Sequence, residues 1–398
     1  MRVPATRLSL IFSNLGHFYI HVVTALYAVI ILQLERDWDE PYEDLLRLWT
    51  LGSLLIGLAA IPAGRLADRW GNRVMMVLYF IGMGGALVFC GFVAGSVGLT
   101  IGLSLVGIFA AIYHPVGIPW IIRTERTHTG RALAINGLFG SFGTAAAGVI
   151  AGGLSQALGW RAAFLVPGVV CVATGILLLG LTAGGRIAAA EAIPETAPRL
   201  TRRSDMLRVF IILVLALFTG GMIYHTMQNG LPKIFSEQLS DLIGTGALGA
   251  GAVTSVVFLF AGVTQVVGGL LADRYKLKYV YILCWFGQTL FVSLAAVVTG
   301  VGLVGMAALL VMSQVAAVPA ENMLIARFTP AKHHGIAFGG KFVATFLAGP
   351  ISIQTIAMVR EHTGGVGWLF GGLGVAALMI LLMLTILPDE RPEPVAAE

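Results

Sequence analysis

The sequence predicts an all-α membrane protein: twelve transmembrane helices in two pseudo-symmetric six-helix bundles, both termini cytoplasmic. Three observations predict it. The first is composition: of 398 residues, 57% are hydrophobic and only 11% charged, against roughly 25% charged in an ordinary soluble domain. The mean hydropathy is +0.88, and 51 glycines suit membrane helices, where glycine is commoner than in soluble ones. The second is a series of twelve apolar runs, each long enough for a bilayer core about 30 Å thick. The third is an internal repeat that divides the runs six and six. Together these exclude a soluble enzyme, a secreted disulfide scaffold and a disordered regulator. The runs are continuously apolar rather than alternating, which excludes a β-barrel. Cys90, Cys171 and Cys284 lie inside apolar runs without metal-ligand spacing and read as small buried hydrophobes.

The runs fall at about 8–34, 45–66, 74–94, 97–122, 132–158, 161–182, 207–232, 246–271, 279–299, 301–327, 335–360 and 364–387. The first is too long for a signal-peptide core, and no small-residue cleavage pattern follows it. Nineteen of the 25 lysines and arginines lie on the side of the two termini and the even-to-odd loops. That bias places both termini in the cytoplasm, so the pI near 9.2 is a topology signal and implies no nucleic-acid partner. The first outer loop is acidic, with Glu35, Asp37, Asp39, Glu40, Glu43 and Asp44, and reads as a solvated connector.

Span 1 carries Asn14, His17, Tyr19 and His21, and the two histidines, four apart, share one helix face. Span 2 runs into the loop Gly64-Arg-Leu-Ala-Asp68-Arg69-Trp-Gly71-Asn-Arg73. Span 4 contains Tyr113-His114-Pro115, whose proline frees a backbone carbonyl and can kink the helix. Span 5 carries Asn136, Gly137, Gly140, Gly143 and Gly148, small residues that let it pack closely across the interface of the halves. The hydrophilic stretch 183–206 follows span 6, giving an N-terminal bundle 1–182, a cytoplasmic linker 183–206 and a C-terminal bundle 207–398. Span 7 has Tyr224, His225, Gln228 and Asn229; span 10 has Gln314, Glu321 and Asn322 behind Pro319; span 11 has Lys341. His333 and His334, beside Lys332, read as solvated in the loop before span 11.

Sliding the halves by 205 residues lays Gly64…Asp68-Arg69 on Gly269…Asp273-Arg274, Gln33-Leu34 on Gln238-Leu239, Tyr19 on Tyr224 and Gly130 on Gly335. A constant offset indicates parallel repeats about an axis along the membrane normal. The loop at Gly64–Arg73 resembles the signature loop of the major facilitator superfamily, and Gly269–Lys278 is its second copy. Physically, the glycines allow close helix approach, Asp68 can accept from a facing helix N-terminus, and Arg69 and Arg73 can pair across the halves. Gly64, Asp68, Arg69, Gly71, Arg73, Gly269, Asp273 and Arg274 are therefore the expected gate. The resemblance implies the facilitator fold, with spans 1, 4, 7 and 10 lining a central cavity. Tyr113-His114-Pro115 with the following Gly130-Arg-Ala and span 5 glycines looks like the fosmidomycin-resistance branch of that superfamily. Span 1 departs from the branch, in which an acidic residue follows the histidine four or five positions on; His21 and Val22 stand there in this sequence, which shifts the expected proton carriers to Glu321 and the histidines.

Ionisable groups within a span are costly and usually face a cavity or a partner. Histidine titrates nearest neutral pH, so Glu321, His114, His21 and His17 are the candidate proton-coupling residues. Glu321 also reads as a structural ion pair with Lys341. Tyr19, His21, Tyr113, His114, His225, Gln228, Glu321, Asn322 and Lys341 are the candidate substrate contacts. The expected function is secondary transport of a small organic compound, by proton-coupled efflux; alternatives are proton-coupled uptake of an organic anion or uncoupled facilitation. No nucleotide-binding motif is present, and neither an enzyme nor a cofactor is expected. His17 and His21 with His114 can be imagined around zinc, but no metal is expected either. Partners are the small-molecule substrate, protons and membrane lipid, the protein acting as a monomer in the bacterial inner membrane.

Overall fold

The computed structural model describes residues 5–187, 203–329 and 334–388. In order these form α1 (Ala5–Trp38), α2 (Tyr42–Arg47), α3 (Thr50–Trp70), α4 (Asn72–Phe92), α5 (Gly95–Ala110), α6 (Tyr113–Thr124), α7 (Thr129–Leu158) and α8 (Trp160–Ala183). Then come α9 (Arg203–Gln238), α10 (Ser240–Ile243), α11 (Ala247–Leu259), α12 (Ala261–Arg274), α13 (Leu277–Ala295), α14 (Gly300–Phe328), α15 (His334–Thr363) and α16 (Gly367–Thr385). They make twelve helices long and apolar enough to cross a membrane, counting α2–α3, α5–α6 and α11–α12 as one span each. Residues 188–202 of the linker, and Lys332 with His333, lie outside the described residues, as does the side chain of His334.

Each span forms because an apolar run satisfies its own backbone, the one requirement a bilayer interior imposes on a single segment. Loops are short where a single glycine turns the chain. Gly71 (φ 84°) joins α3 to α4 and Gly159 (φ 87°) joins α7 to α8, a left-handed geometry that favours glycine. The fourth span is broken. Pro115 has no N–H and its ring would clash with the carbonyl of Ala111, four residues back. The chain answers by ending α5 at Ala110, tightening through an Ile112 N–H to Phe109 carbonyl bond of 3.2 Å. It then restarts α6 with Pro115 in the first turn, where a missing N–H costs little. The eighth span breaks at Phe260, where no proline stands, and nothing in the structure explains it.

In the first half α1 packs on α7 and α6, and α4 lies between α5 and α8; in the second, α9 packs on α15 and α13 on α14 and α16. The halves meet along two seams, α7 against α11 and α3 against α15. In the first seam Gly148 and Gly251 face each other so closely that a Cβ on either would strike the other's backbone carbonyl. The expected glycine packing of span 5 is therefore only partly across the halves: Gly137 faces Gln265 and Gly148 faces α11, but Gly140 and Gly143 face α1 of their own half.

Candidate functional site

Three imidazoles meet at the centre of the first half. His17 and His21, one turn apart on α1, bring their Nε2 atoms to 3.2 Å. The His114 ring, in the first turn of α6, stands edge-on to both, with centroids 5.7 Å from His17 and 6.2 Å from His21. Their surroundings fix the orientation. His17 stacks on Tyr113 at 5.0 Å between centroids, and Gly140 makes room for it, since a Cβ there would stand 2.8 Å from the ring. His17 Nδ1 lies 2.7 Å from the carbonyl oxygen of Asn136. The Asn136 side chain donates from Nδ2 to the Tyr113 hydroxyl at 2.9 Å and to Asn14 Oδ1 at 3.0 Å, and Tyr113 donates on to the Ser13 carbonyl at 3.0 Å. Asn136 thereby ties α1, α6 and α7 together.

The hydrogen bonds have a direction. A carbonyl only accepts, so His17 Nδ1 carries the proton and, in the neutral ring, Nε2 presents a lone pair. His21 Nε2 must then donate to it, leaving His21 Nδ1 to accept from Thr144 Oγ1 at 3.2 Å. Thr144 in turn accepts from the Tyr224 hydroxyl, 3.2 Å away on α9 of the other half. A directed series thus runs from Tyr224 through Thr144, His21 and His17 to Asn136. The other half also covers His114, whose ring lies 5.4 Å from both Phe342 and Phe346 of α15. His114 Nδ1 is buried without a hydrogen-bond partner.

A second polar group lies in the C-terminal half. Lys341 Nζ is 2.6 Å from Glu321 Oε1 and donates at 2.6 Å to Asn322 Oδ1. The Tyr281 hydroxyl donates to Glu321 Oε2 at 3.0 Å. The ion pair expected from the sequence is present, and each charged side chain is only 12% exposed, as a charge without water requires.

At the end opposite the termini the halves are tied by charge. Lys233 meets Glu35 at 2.7 Å, Arg360 meets Glu43 at 2.8 Å, and Arg47 pairs with Glu361. Arg360 also reaches Glu237 at 2.7 Å within its own half. Tyr42 donates to the Asn229 carbonyl at 2.8 Å and Gln354 to Thr50 at 2.7 Å. The acidic outer loop is therefore not a mere solvated connector: Glu35, Glu43 and Asp44 all hold cations.

The other candidate contacts expected from the sequence have different surroundings. Tyr19 does not join the histidines; two residues along a helix turn it about 200° away, and its hydroxyl pairs with Thr174 at 3.1 Å. Tyr113 is wholly buried, stacked on His17 and hydrogen-bonded to Asn136. Gln228 is buried as well, while His225 packs against Gly349 of α15 beside the Tyr224 ring. Asn136, Thr144, Phe342, Phe346 and Tyr281 were not singled out as site residues in the sequence. Asn136 stood out only as a polar residue among glycines, and the other four carry no local signal.

The gate loop also departs from expectation. Arg73 does not reach a carboxylate of the other half but donates to the Ile187 carbonyl at 2.7 Å. Asp68 is 74% exposed and faces Arg123 of its own half at 3.7 Å. Arg69, Asp273 and Arg274 are exposed. Gly64 and Gly269 each face a proline, Pro115 and Pro319, at ordinary contact distance; the positive φ at Gly71 is the one backbone demand in the motif.

Comparisons with known proteins agree with this architecture. The chain is 24% identical over 218 residues to the probable galactarate/D-glucarate transporter GudP of Escherichia coli (strain K12), an alignment covering 51% of this chain and 46% of that protein. It is 33% identical over 128 residues to the puromycin resistance protein pur8 of Streptomyces alboniger, covering 31% and 25%. The chain thus spans less than half the length of these curated relatives. A bacterial homolog of the human lysosomal transporter Spinster has the same fold in its inward-facing unoccupied and occupied conformations, with TM-scores of 0.71 and 0.72 at 14% and 16% identity. Each match covers 97% of this chain and 96% of the other. The family profile for the Major Facilitator Superfamily matches residues 14–250 and 234–398, and this multi-pass integral membrane protein belongs to that superfamily.

Proposed function

We propose that the chain is a secondary active transporter that moves a small organic compound by alternating access, exchanging it for protons in the efflux direction. The observation that carries this reading is the directed series Tyr224–Thr144–His21–His17, which crosses from one half to the other. Alternating access moves residues 1–182 against residues 207–398. The Thr144–Tyr224 link makes and breaks with that motion, so protonation of the histidines senses which way the transporter faces. Positive charge concentrated at the terminal end supports cytoplasmic termini. On that orientation the ion-paired end is the outer gate, the form is inward-facing, and the Asp68 loop closes only in the opposite state. The membrane is then the bacterial cytoplasmic membrane, and one copy suffices. The name of the puromycin resistance relative supports efflux.

A second reading, symport of an organic anion, is favoured by the Lys341, Glu321 and Asn322 group and by the sugar-acid name of GudP. A proton arriving on Glu321 would release the Lys341 ammonium to bind a carboxylate. Proteoliposomes preloaded with a candidate compound and a pH dye separate the readings. During downhill exit, antiport acidifies the lumen, symport alkalinises it, and an uncoupled facilitator leaves it unchanged. If His21→Gln and Glu321→Gln leave the proton flux untouched, proton coupling through these groups is wrong.

A further inference from the structure

We infer that His17, His21 and His114 form a binding site for a divalent transition-metal ion of the zinc, cobalt and nickel class. One ring nitrogen from each of the three lies within 4.8 Å of one from each of the others. The closest pair, at 3.2 Å, is spaced like two nitrogens on one tetrahedral zinc, which stand roughly 3.3 Å apart when each bond is about 2.0–2.1 Å. Two histidines four apart on one helix face are a spacing with which helices chelate zinc.

The surroundings also fit. Metal-bound histidines usually hand their remote nitrogen to an oxygen, which fixes the tautomer. His17 does so to the Asn136 carbonyl and His21 to Thr144 Oγ1. The Thr144 hydroxyl can accept as well as donate, so when His21 moves its proton to Nδ1 and frees Nε2, Thr144 accepts it and turns its own proton to the Gly140 carbonyl, 3.5 Å away. His114 supplies the third donor, with Nδ1 buried and unpartnered. It sits in the first turn of α6, just past the break in the fourth span, with its ring edge-on to both of the other imidazoles. No carboxylate joins the set among the described residues. Neutral imidazoles alone suit borderline transition metals rather than calcium or magnesium, which want oxygen. Lys341 is held by Glu321 at 2.6 Å, which offsets its charge toward the site. Three protein ligands leave a fourth position for water or an anion. A bound ion occupies His17 and His21 Nε2, the contact through which the directed series passes, and so stops it.

Titration of the purified full-length protein in detergent with Co²⁺ tests the site without any proton gradient, so its failure and that of proton coupling are distinguishable. The expected result is visible d–d absorption that Zn²⁺ abolishes by displacement. His21→Gln and His114→Gln should each weaken binding by about tenfold or more, and exposed His362→Ala should not alter it. Thr144→Val, which leaves all three imidazoles in place, should weaken it by about 10–100-fold and serves if a histidine variant fails to fold. Folded wild type giving no d–d bands at millimolar Co²⁺, or bands that persist unchanged in these variants, would overturn the inference.

Discussion

At the scale of single residues, position on a helix outweighs chemical type. His17 and His21 could be paired from the sequence because four residues return to the same face, and the structure joins them at 3.2 Å. Tyr19, equally polar, lies on the opposite face and serves α8. Thr144 was illegible for another reason: a threonine in a membrane helix commonly bonds back to its own helix, and only the tertiary structure shows it meeting His21 and Tyr224. Two predictions belong here. Thr144→Val removes one link between the halves, a loss of about 0.5–1.5 kcal/mol. It should therefore slow pH-gradient-driven transport roughly two- to tenfold while substrate affinity, read by isothermal calorimetry, stays put. Tyr19→Phe should leave both quantities at wild-type values. A large transport defect in Tyr19→Phe would mean that the α1 face against α8 matters to the cargo.

At the scale of elements, the apolar runs located every span, because run length alone satisfies the bilayer. Interruptions within a span were harder to read. Pro115 broke the fourth span where the clash with Ala111 demands, yet Pro62, Pro167, Pro319 and Pro350 sit inside continuous helices. Neighbouring helices decide which prolines are absorbed, and neighbours are not visible in a linear pattern. The glycines of α7 pose the same problem, since their spacing announces close packing without saying against what. Gly148→Leu should therefore separate α7 from α11 by forcing a side chain onto the Gly251 carbonyl. The expected cost is about 1–3 kcal/mol, read as a lower Tm of the detergent-solubilised protein. At Gly153, where a Cβ would reach only an ordinary contact with Leu248, an alanine should change Tm little.

On the scale of the whole molecule, the repeat makes the two-fold architecture legible in the sequence. The tie between the halves was not, because its partners come from loops and helix ends up to 317 residues apart. Arg360 is its centre, 7% exposed between Glu43 and Glu237. Removing one partner of a buried pair leaves the other charge unpaired. For Arg360→Gln, with Glu237 still partly hydrated, the cost is about 3 kcal/mol, the low end for such a change. That corresponds to about a hundredfold shift in the balance between the two ends, and spin labels flanking residues 43 and 360 should report longer distances.

The tie has one more property. It is made of opposite charges near water rather than of interlocked apolar side chains, and the Debye length shrinks from about 10 Å at 0.1 M salt to about 3 Å at 1 M. The least buried contact, Arg47 with Glu361 at 29% and 39% exposure, is screened first, and Arg360 last. Brine on that face therefore loosens the clasp in steps, so the salinity of the surrounding medium becomes an input to how long the protein dwells in this conformation.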